Sequence, residues 1–366
     1  MTVRIGVPRE TKDGERRVAL TPDGARVLTG DGHEVLVEAG AGARVGFEDA
    51  AYRDAGAQIA SREAVWSCAL VVKVKEVLPA EFPLLRAGST FFGFAQINRD
   101  RTLLDALRRA RVASIGYETV QDAQGRLPLL APMSRIAGRL APLAGADALS
   151  TARGGSGVLL TGVDDVPGAK VVVVGAGNVG GEAARVAGRL GARVWVFSRG
   201  EVRRRALAAS LAHEGLHADI AGMESATRFE EAVADADLVI GGVLEPGTLS
   251  PKLIRRAMLR SMRPGSALVD VGIDQAGIAE TSRMTKISDP TYVECGVVHY
   301  AVPNMPSLVA RTATLALTAA TLPYVRAMAG LGIRAALERD AGLAAGLMVR
   351  DGDIVHAGLA RDAAVR

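Results

Sequence analysis

Three observations predict an α/β protein built as two doubly wound domains. Short apolar strands alternate with helical segments from residue 1 to about residue 130, the pattern of a mostly parallel sheet. A continuous apolar strand, KVVVV, then runs into Gly175-x-Gly177-x-x-Gly180 and an Ala-rich helix, the context that a dinucleotide-binding (Rossmann) fingerprint requires. Finally, 366 residues with 49% hydrophobic content exceed what one core ordinarily serves.

The elements follow in order. VRIGVP reads as a strand, TKDGERR as a polar loop, and VALTPDGARVLTGDG as an entry turn and helix. HEVLVEAG is a second strand, and EDAAYRDAGAQIA is helical by its 3.6-residue spacing. ALVVKVKE, STFFGFAQ and VASIGYETV are the third to fifth strands, with the helix RTLLDALRRARV before the last. The apolar run FFGFAQINRD closes on two amides, Gln96 and Asn98. After KVVVVGAGNVGGEAARVAGRLGARVWVFSR, the segments ADLVIGGV (236–243) and SALVDVGID (266–274) supply the remaining strands of the second sheet. Beyond VVHYAVPNMP (297–306), the apolar stretch Thr312 to Val325 reads as a buried helix. It is shorter than the ~20 residues a bilayer needs and is bracketed by Arg311 and Arg326. No internal repeat or low-complexity tract is visible.

Composition excludes several classes. The net charge of +4 comes from arginines spread along the chain without interleaved aromatics, so a solvated basic surface is expected rather than a nucleic-acid partner. Cys68 and Cys295, the only cysteines, lie far apart and suggest neither a disulfide framework nor a Cys-ligated metal. The N-terminal MTVRIGVPRETKDGERR has no apolar signal region, and a cytoplasmic protein without a membrane role is expected.

In the fingerprint, Gly175 permits the tight turn, Gly177 admits the pyrophosphate and Gly180 allows close packing, with phosphate charge on the helix N-terminus at Asn178 and Val179. The second strand ends VWVFSR, so Ser198 holds the ribose position where a carboxylate would accept from the 2′-OH of NAD. Arg199 follows, with Arg203, Arg204 and Arg205 one helical turn on. This charge favours NADP(H) over NAD(H); alternatively the arginines form a solvated helix start, with Glu201 partly filling the carboxylate's place.

The order of motifs resembles the alanine dehydrogenase family, which shares its fold with the nucleotide-binding subunit of proton-translocating transhydrogenase. The resemblance rests on IGVPRETKDGERRVALTP, VVKVKE, YETVQDAQGRLPLLAPMSRIAGR, VVVVGAGNVG, DLVIGGVLEPG, VDVGIDQAG and VVHYAVPNMPSLVARTAT. It implies a discontinuous substrate domain, 1–130 plus 306–366, around an inserted Rossmann domain, 131–305, with the active site in the cleft between them. It also implies a homo-oligomer and a small-molecule substrate bearing a carboxylate. Arg17 matches the family's carboxylate-gripping arginine, a role suited to a planar fork, with Arg16 beside it as the ambiguity. Lys75 matches the other substrate-binding cation; Lys73 and Lys75 alternate onto one strand face, so a structural ion pair is expected for one of them. Asp274 becomes the carboxylate near the nicotinamide at a Rossmann strand end, Ser134 a cofactor contact, and Asn304 and Met305 the family's NM pair. Val243, Leu244 and Ile273 complete the implied cofactor contacts.

The chain departs from the family at four places. Gln96 stands where the catalytic histidine falls, Ser198 replaces the ribose-binding aspartate, Arg135 replaces an acid, and TGVDDVPG lacks the GGVPGV form. A primary amide does not titrate but still donates a hydrogen bond, so Gln96 keeps binding and alignment while losing proton relay, a loss commonly costing ~10²–10⁴ in rate. Three readings follow: a reductase or dehydrogenase using NADP(H) on an amino acid, 2-oxo acid or imine; an alanine dehydrogenase whose relay runs through Asp274 or His299; and a non-catalytic NADP(H) sensor. Retention of Arg17, Lys75 and Asp274 argues against the sensor. If Ser198 decides the ribose chemistry, Ser198→Asp should shift the NADPH/NADH ratio of kcat/KM toward NADH by about tenfold or more, ~1.4 kcal/mol, and an unchanged ratio would refute the assignment.

Overall fold

The computed structural model describes residues 2–243 and 250–365. It divides into two compact units, Met1–Met133 with Ser307–Arg366, and Ser134–Pro306. The motifs had placed the divisions at 130/131 and 305/306.

The first unit opens with β1 (Arg4–Val7), β2 (Glu34–Glu38), β3 (Gln58–Ala60), β4 (Leu70–Val72), β5 (Thr90–Gly93) and β6 (Ala113–Gly116). The second carries β7 (Lys170–Val174), β8 (Arg193–Phe197), β9 (Asp219–Ala221), β10 (Leu238–Gly241), β11 (Ala267–Asp270), β12 (Thr291–Glu294) and β13 (Val297–Tyr300). The chain closes, back in the first unit, on β14 (Leu347–Arg350) and β15 (Asp353–Ile354).

The first sheet has the order β15-β14-β6-β5-β4-β1-β2-β3. Its six N-terminal strands pair in parallel, and the C-terminal hairpin adds an antiparallel edge. The strands β4 (LVV) and β5 (TFFG) are buried throughout, as helix-covered parallel strands must be. The chain winds outward from β1 through β2 and β3, then returns to β4 and winds the other way. The topological switch point therefore lies between β1 and β4, and ligands in such sheets bind outside the carboxyl ends of the strands there. The second sheet, β12-β13-β11-β10-β7-β8-β9, has its switch between β7 and β10.

Local chemistry explains the element ends. In the helix Arg101–Ala110, Asp100 accepts from the Thr102 and Leu103 N–H groups, while Arg111 closes the other end in the left-handed conformation. Three expectations are corrected. The segment EDAAYRDAGAQIA is helical only over Asp49–Asp54, because Gln58–Ala60 joins the sheet edge beside β2. The strand in ALVVKVKE stops at Val72, so Lys73 and Lys75 lie in the segment beyond it. The stretch around Thr312–Val325 belongs to a longer helix, Ala310–Leu331, and the 27 residues Met305–Leu331 are long and apolar enough to cross a bilayer by length and composition. Its buried residues Ala310, Ala313, Thr314, Leu317, Thr321, Val325 and Met328 recur every three or four positions, so one face is packed rather than the whole helix.

Charge is buried at the β1–β4 switch. Lys73, fully buried, reaches Glu10 at 2.9 Å and Glu81 at 3.2 Å. Burial alone would push the lysine's pKa down, but the two carboxylates hold it up; burial pushes Glu10 up against the lysine's pull. Removing the cation should be costly: Lys73→Met leaves two buried carboxylates and is expected to destabilise the first unit by about 3–5 kcal/mol at neutral pH. Without the lysine's pull, burial would hold the Glu10 pKa further above its unfolded value, so the deficit should shrink as pH falls toward the ordinary carboxylate range. Denaturant unfolding of both proteins at pH 7.5 and 5 would check both statements.

Candidate functional site

In the first unit, the segments that leave the carboxyl ends of β1, β4, β5 and β6 bring Arg17, Lys75 and Gln96 into one electrostatic neighbourhood. Arg17 is 1% exposed. Its Nε donates to Glu15 Oε1 at 2.7 Å and its Nη2 to Glu15 Oε2 at 2.6 Å, a two-point contact that fixes the guanidinium plane. Its Nη1 lies 2.9 Å from the Met133 thioether, a weak acceptor. Burial would raise the Glu15 pKa, but Arg17 and Lys75 bring it down to about 2, so the pair stays charged. Lys75 is buried, and its backbone N–H is held by Glu10 Oε1 at 3.3 Å, the carboxylate that also accepts from Val74 N–H at 2.7 Å. Its ammonium acts on two carboxylates, Glu15 and Glu118. Glu118 in turn accepts from the backbone N–H of Gln96 at 2.7 Å.

In the second unit the fingerprint forms at the β7–β10 switch. Gly175 has φ +112°, a conformation open to glycine, and its N–H reaches Phe197 O at 2.7 Å. A Cβ at Gly180 would stand 1.8 Å from Gly175 O, so the helix Asn178–Arg189 approaches the turn as only glycine allows. Gly177 faces open space and begins that helix without a side-chain cap, leaving its first N–H groups to an anion such as a pyrophosphate. Val243 lies beside Gly175, within 3.2 Å of where its Cβ would be; Leu244 falls outside the described residues. The helix Ala131–Ala148 packs at Gly138 against Val179 O, and Ser134, one turn earlier, shares that helix face.

At the end of β8, Ser198 is buried while Arg199 and Arg203 are exposed and, among the described residues, make no ion pair. Arg204 is committed to Ser198 O and Glu224, and Arg205 to Glu201. Asp274 does not end a strand: β11 stops at Asp270, and Asp274 lies on the short 3-10 turn Ile273–Gln275, exposed, while Ile273 is buried. There Asp274 Oδ2 accepts from Asn304 N–H at 3.2 Å, and Met305 is buried beside it in the chain. The turn is anchored from below by Asp270, which accepts from Ile278 N–H and the Ser282 hydroxyl.

His299, weighed above as a substitute relay, is a core residue. It lies in β13, 1% exposed, with Nε2 at 2.8 Å from Thr281 Oγ1 and Nδ1 at 2.9 Å from Val297 O. Both ring nitrogens are engaged, and burial lowers its pKa. Sequence reasoning missed Glu10, Glu15 and Glu118. The register Gly93↔Gly116 explains the last, since it sets Glu118 opposite Ala95, two residues beyond each glycine.

Two family models match the chain, alanine dehydrogenase/PNT, N-terminal domain, over residues 6–137 and alanine dehydrogenase/PNT, C-terminal domain, over residues 141–357. The chain belongs to the alanine dehydrogenase/PNT family. It is 48% identical over 360 residues to an alanine dehydrogenase of Halomonas elongata, covering 98% of this chain and 96% of that protein. An alanine dehydrogenase of Bacillus subtilis is 44% identical over 98% of this chain and 94% of its own length. Among solved structures, an L-alanine dehydrogenase matches with a TM-score of 0.94 at 44% identity over 99% of each chain. A transhydrogenase from Sinorhizobium meliloti matches with 0.83 at 25% identity, over 96% of this chain and 100% of that one. The relatives that are 44–48% identical are alanine dehydrogenases, oxidoreductases of an amino acid. Because the turn leaves no room at Gly180, Gly180→Ala should weaken NADH or NADPH binding at least tenfold in a fluorescence titration, with circular dichroism used to verify folding.

Proposed function

We propose that the protein transfers hydride between NADP(H) and a small amino acid, its 2-oxo acid or the corresponding imine, with Gln96 in the place of the family's catalytic histidine. The observation that carries this reading is the buried pair of cations, Arg17 and Lys75, each positioned by a carboxylate, in a family member whose second unit holds an intact dinucleotide turn. Glu15 holds the Nε–Nη2 edge of Arg17 and the Met133 thioether lies beside Nη1; the substrate carboxylate is assigned to this guanidinium. Lys75 adds a second positive charge.

Within this reading, Gln96 donates a hydrogen bond to the substrate carbonyl or carboxylate and moves no proton. Asp274 carries the remaining acid–base work or stabilises a protonated C=N group, for which hydride alone completes reduction. When bound, the nicotinamide supplies the hydride; Gly175, Gly177 and Gly180 hold its pyrophosphate, and Ser134, Asn178, Val179, Val243, Ile273, Asn304 and Met305 are the residues assigned around the rest. Arg199 and Arg203, exposed beside the buried Ser198, favour the 2′-phosphate of NADP(H).

A second reading, L-alanine dehydrogenase itself, is favoured by the 44–48% identity to alanine dehydrogenases. Purified protein with pyruvate, ammonia and either NADH or NADPH separates the two. Turnover supports alanine chemistry, whereas activity only with preformed imines or other oxo acids supports the broader reading. In either case Arg17→Ala should raise KM for the carboxylate substrate by about tenfold to a thousandfold, the worth of a lost charge-assisted contact of ~1.5–3 kcal/mol and a buried partner left behind. Gln96→His, if the amide has displaced a relay, should raise kcat for pyruvate with ammonia and introduce a pH dependence near neutrality.

A further inference from the structure

Gln96 has φ +47°, left-handed backbone that is strained for a residue with a Cβ and persists only where its surroundings over-determine it. The surroundings are identifiable. Ala95 and Ile97, on either side, are 0% and 2% exposed and anchor the turn in the core, while Gln96 between them is half-buried. The ladder between β5 and β6 ends with Tyr117 N–H donating to Gly93 O at 2.9 Å. Beyond it a side chain takes over from the backbone: both Glu118 carboxylate oxygens accept from Ala95 N–H at 3.1 Å, and Oε1 accepts from Gln96 N–H at 2.7 Å. The side chain folds back over its own strand, with Oε2 at 3.2 Å from where a Cβ on Gly116 would be. The charge that faces it is Lys75, which is itself balanced by Glu15.

We propose that Glu118 is a positioning residue of the substrate site, a carboxylate that locks the left-handed turn presenting Gln96 and ties its aim to the Lys75 ammonium. The inference rests on the reading of Gln96 as a substrate-site residue. A neutral Glu118 would lose acceptor strength toward the two N–H groups and its attraction for Lys75 together, so substrate affinity carries its ionisation. Burial raises its pKa above the ordinary carboxylate value despite the N–H groups and Lys75.

Two measurements test this on the full-length protein. The first is amide exchange at Ala95 and Gln96, which needs no substrate: Glu118→Ala should speed it at least tenfold, and Glu118→Gln, which keeps an acceptor in the same volume, should speed it less. The second is steady-state kinetics with pyruvate, ammonia and the preferred nicotinamide. Here Glu118→Ala should raise KM for pyruvate at least tenfold, and the double variant Gln96→Ala/Glu118→Ala should be no worse than Gln96→Ala. Wild-type KM should rise on the acid side through a limb that Glu118→Gln lacks. Unchanged exchange in Glu118→Ala overturns the proposal, as does fully additive loss in the double variant. If Gln96→Ala itself leaves KM and kcat unchanged, the underlying reading of Gln96 fails and the proposal with it, an outcome the Gln96 variant alone reports.

Discussion

Carboxylates taken out of water must find donors, and in the first unit this requirement organises everything around the switch point. Glu10 accepts from two backbone N–H groups and from Lys73, Glu15 holds the Arg17 fork, and Glu118 caps the strand end that carries Gln96. Each of these carboxylates grips either the backbone or the guanidinium of a residue assigned to the substrate. With Glu81, four carboxylates face the three cations Arg17, Lys73 and Lys75, so the network is nearly balanced before any anion arrives. The upward displacement of Glu10 and Glu118 by burial is the physical counterpart of that balance, because a proton on one of them neutralises the excess.

The second unit solves a different problem with neutral backbone. A pyrophosphate needs N–H groups and a helix N-terminus more than it needs side-chain charge, and the glycine turn supplies these by removing every Cβ that would intrude. Gly180 against Gly175, and Gly175 against Gly242, whose carbonyl oxygen lies 3.0 Å from where a Cβ on Gly175 would be, bring the ends of β7 and β10 close together. The chain thus divides its labour between a charge-dense half and a backbone-lined half. The corresponding sensitivities differ: the first to charge removal and pH, the second to the addition of a single methyl group.

The sequence alone determined the doubly wound α/β class, the glycine turn and the buried ion pair expected of one lysine in KVKE, which is Lys73. These are legible because they depend on local pattern: apolar runs, glycine spacing and charges set among apolar residues. Tertiary structure alone decided where the strands stop, which face of the long C-terminal helix is packed, and that His299 is consumed by Thr281 and Val297. It also decided that the turn at Gln96 is held by Glu118, twenty-two residues away. Only the register of β5 on β6 places that carboxylate under those N–H groups, and register is a property of paired strands rather than of either strand read by itself.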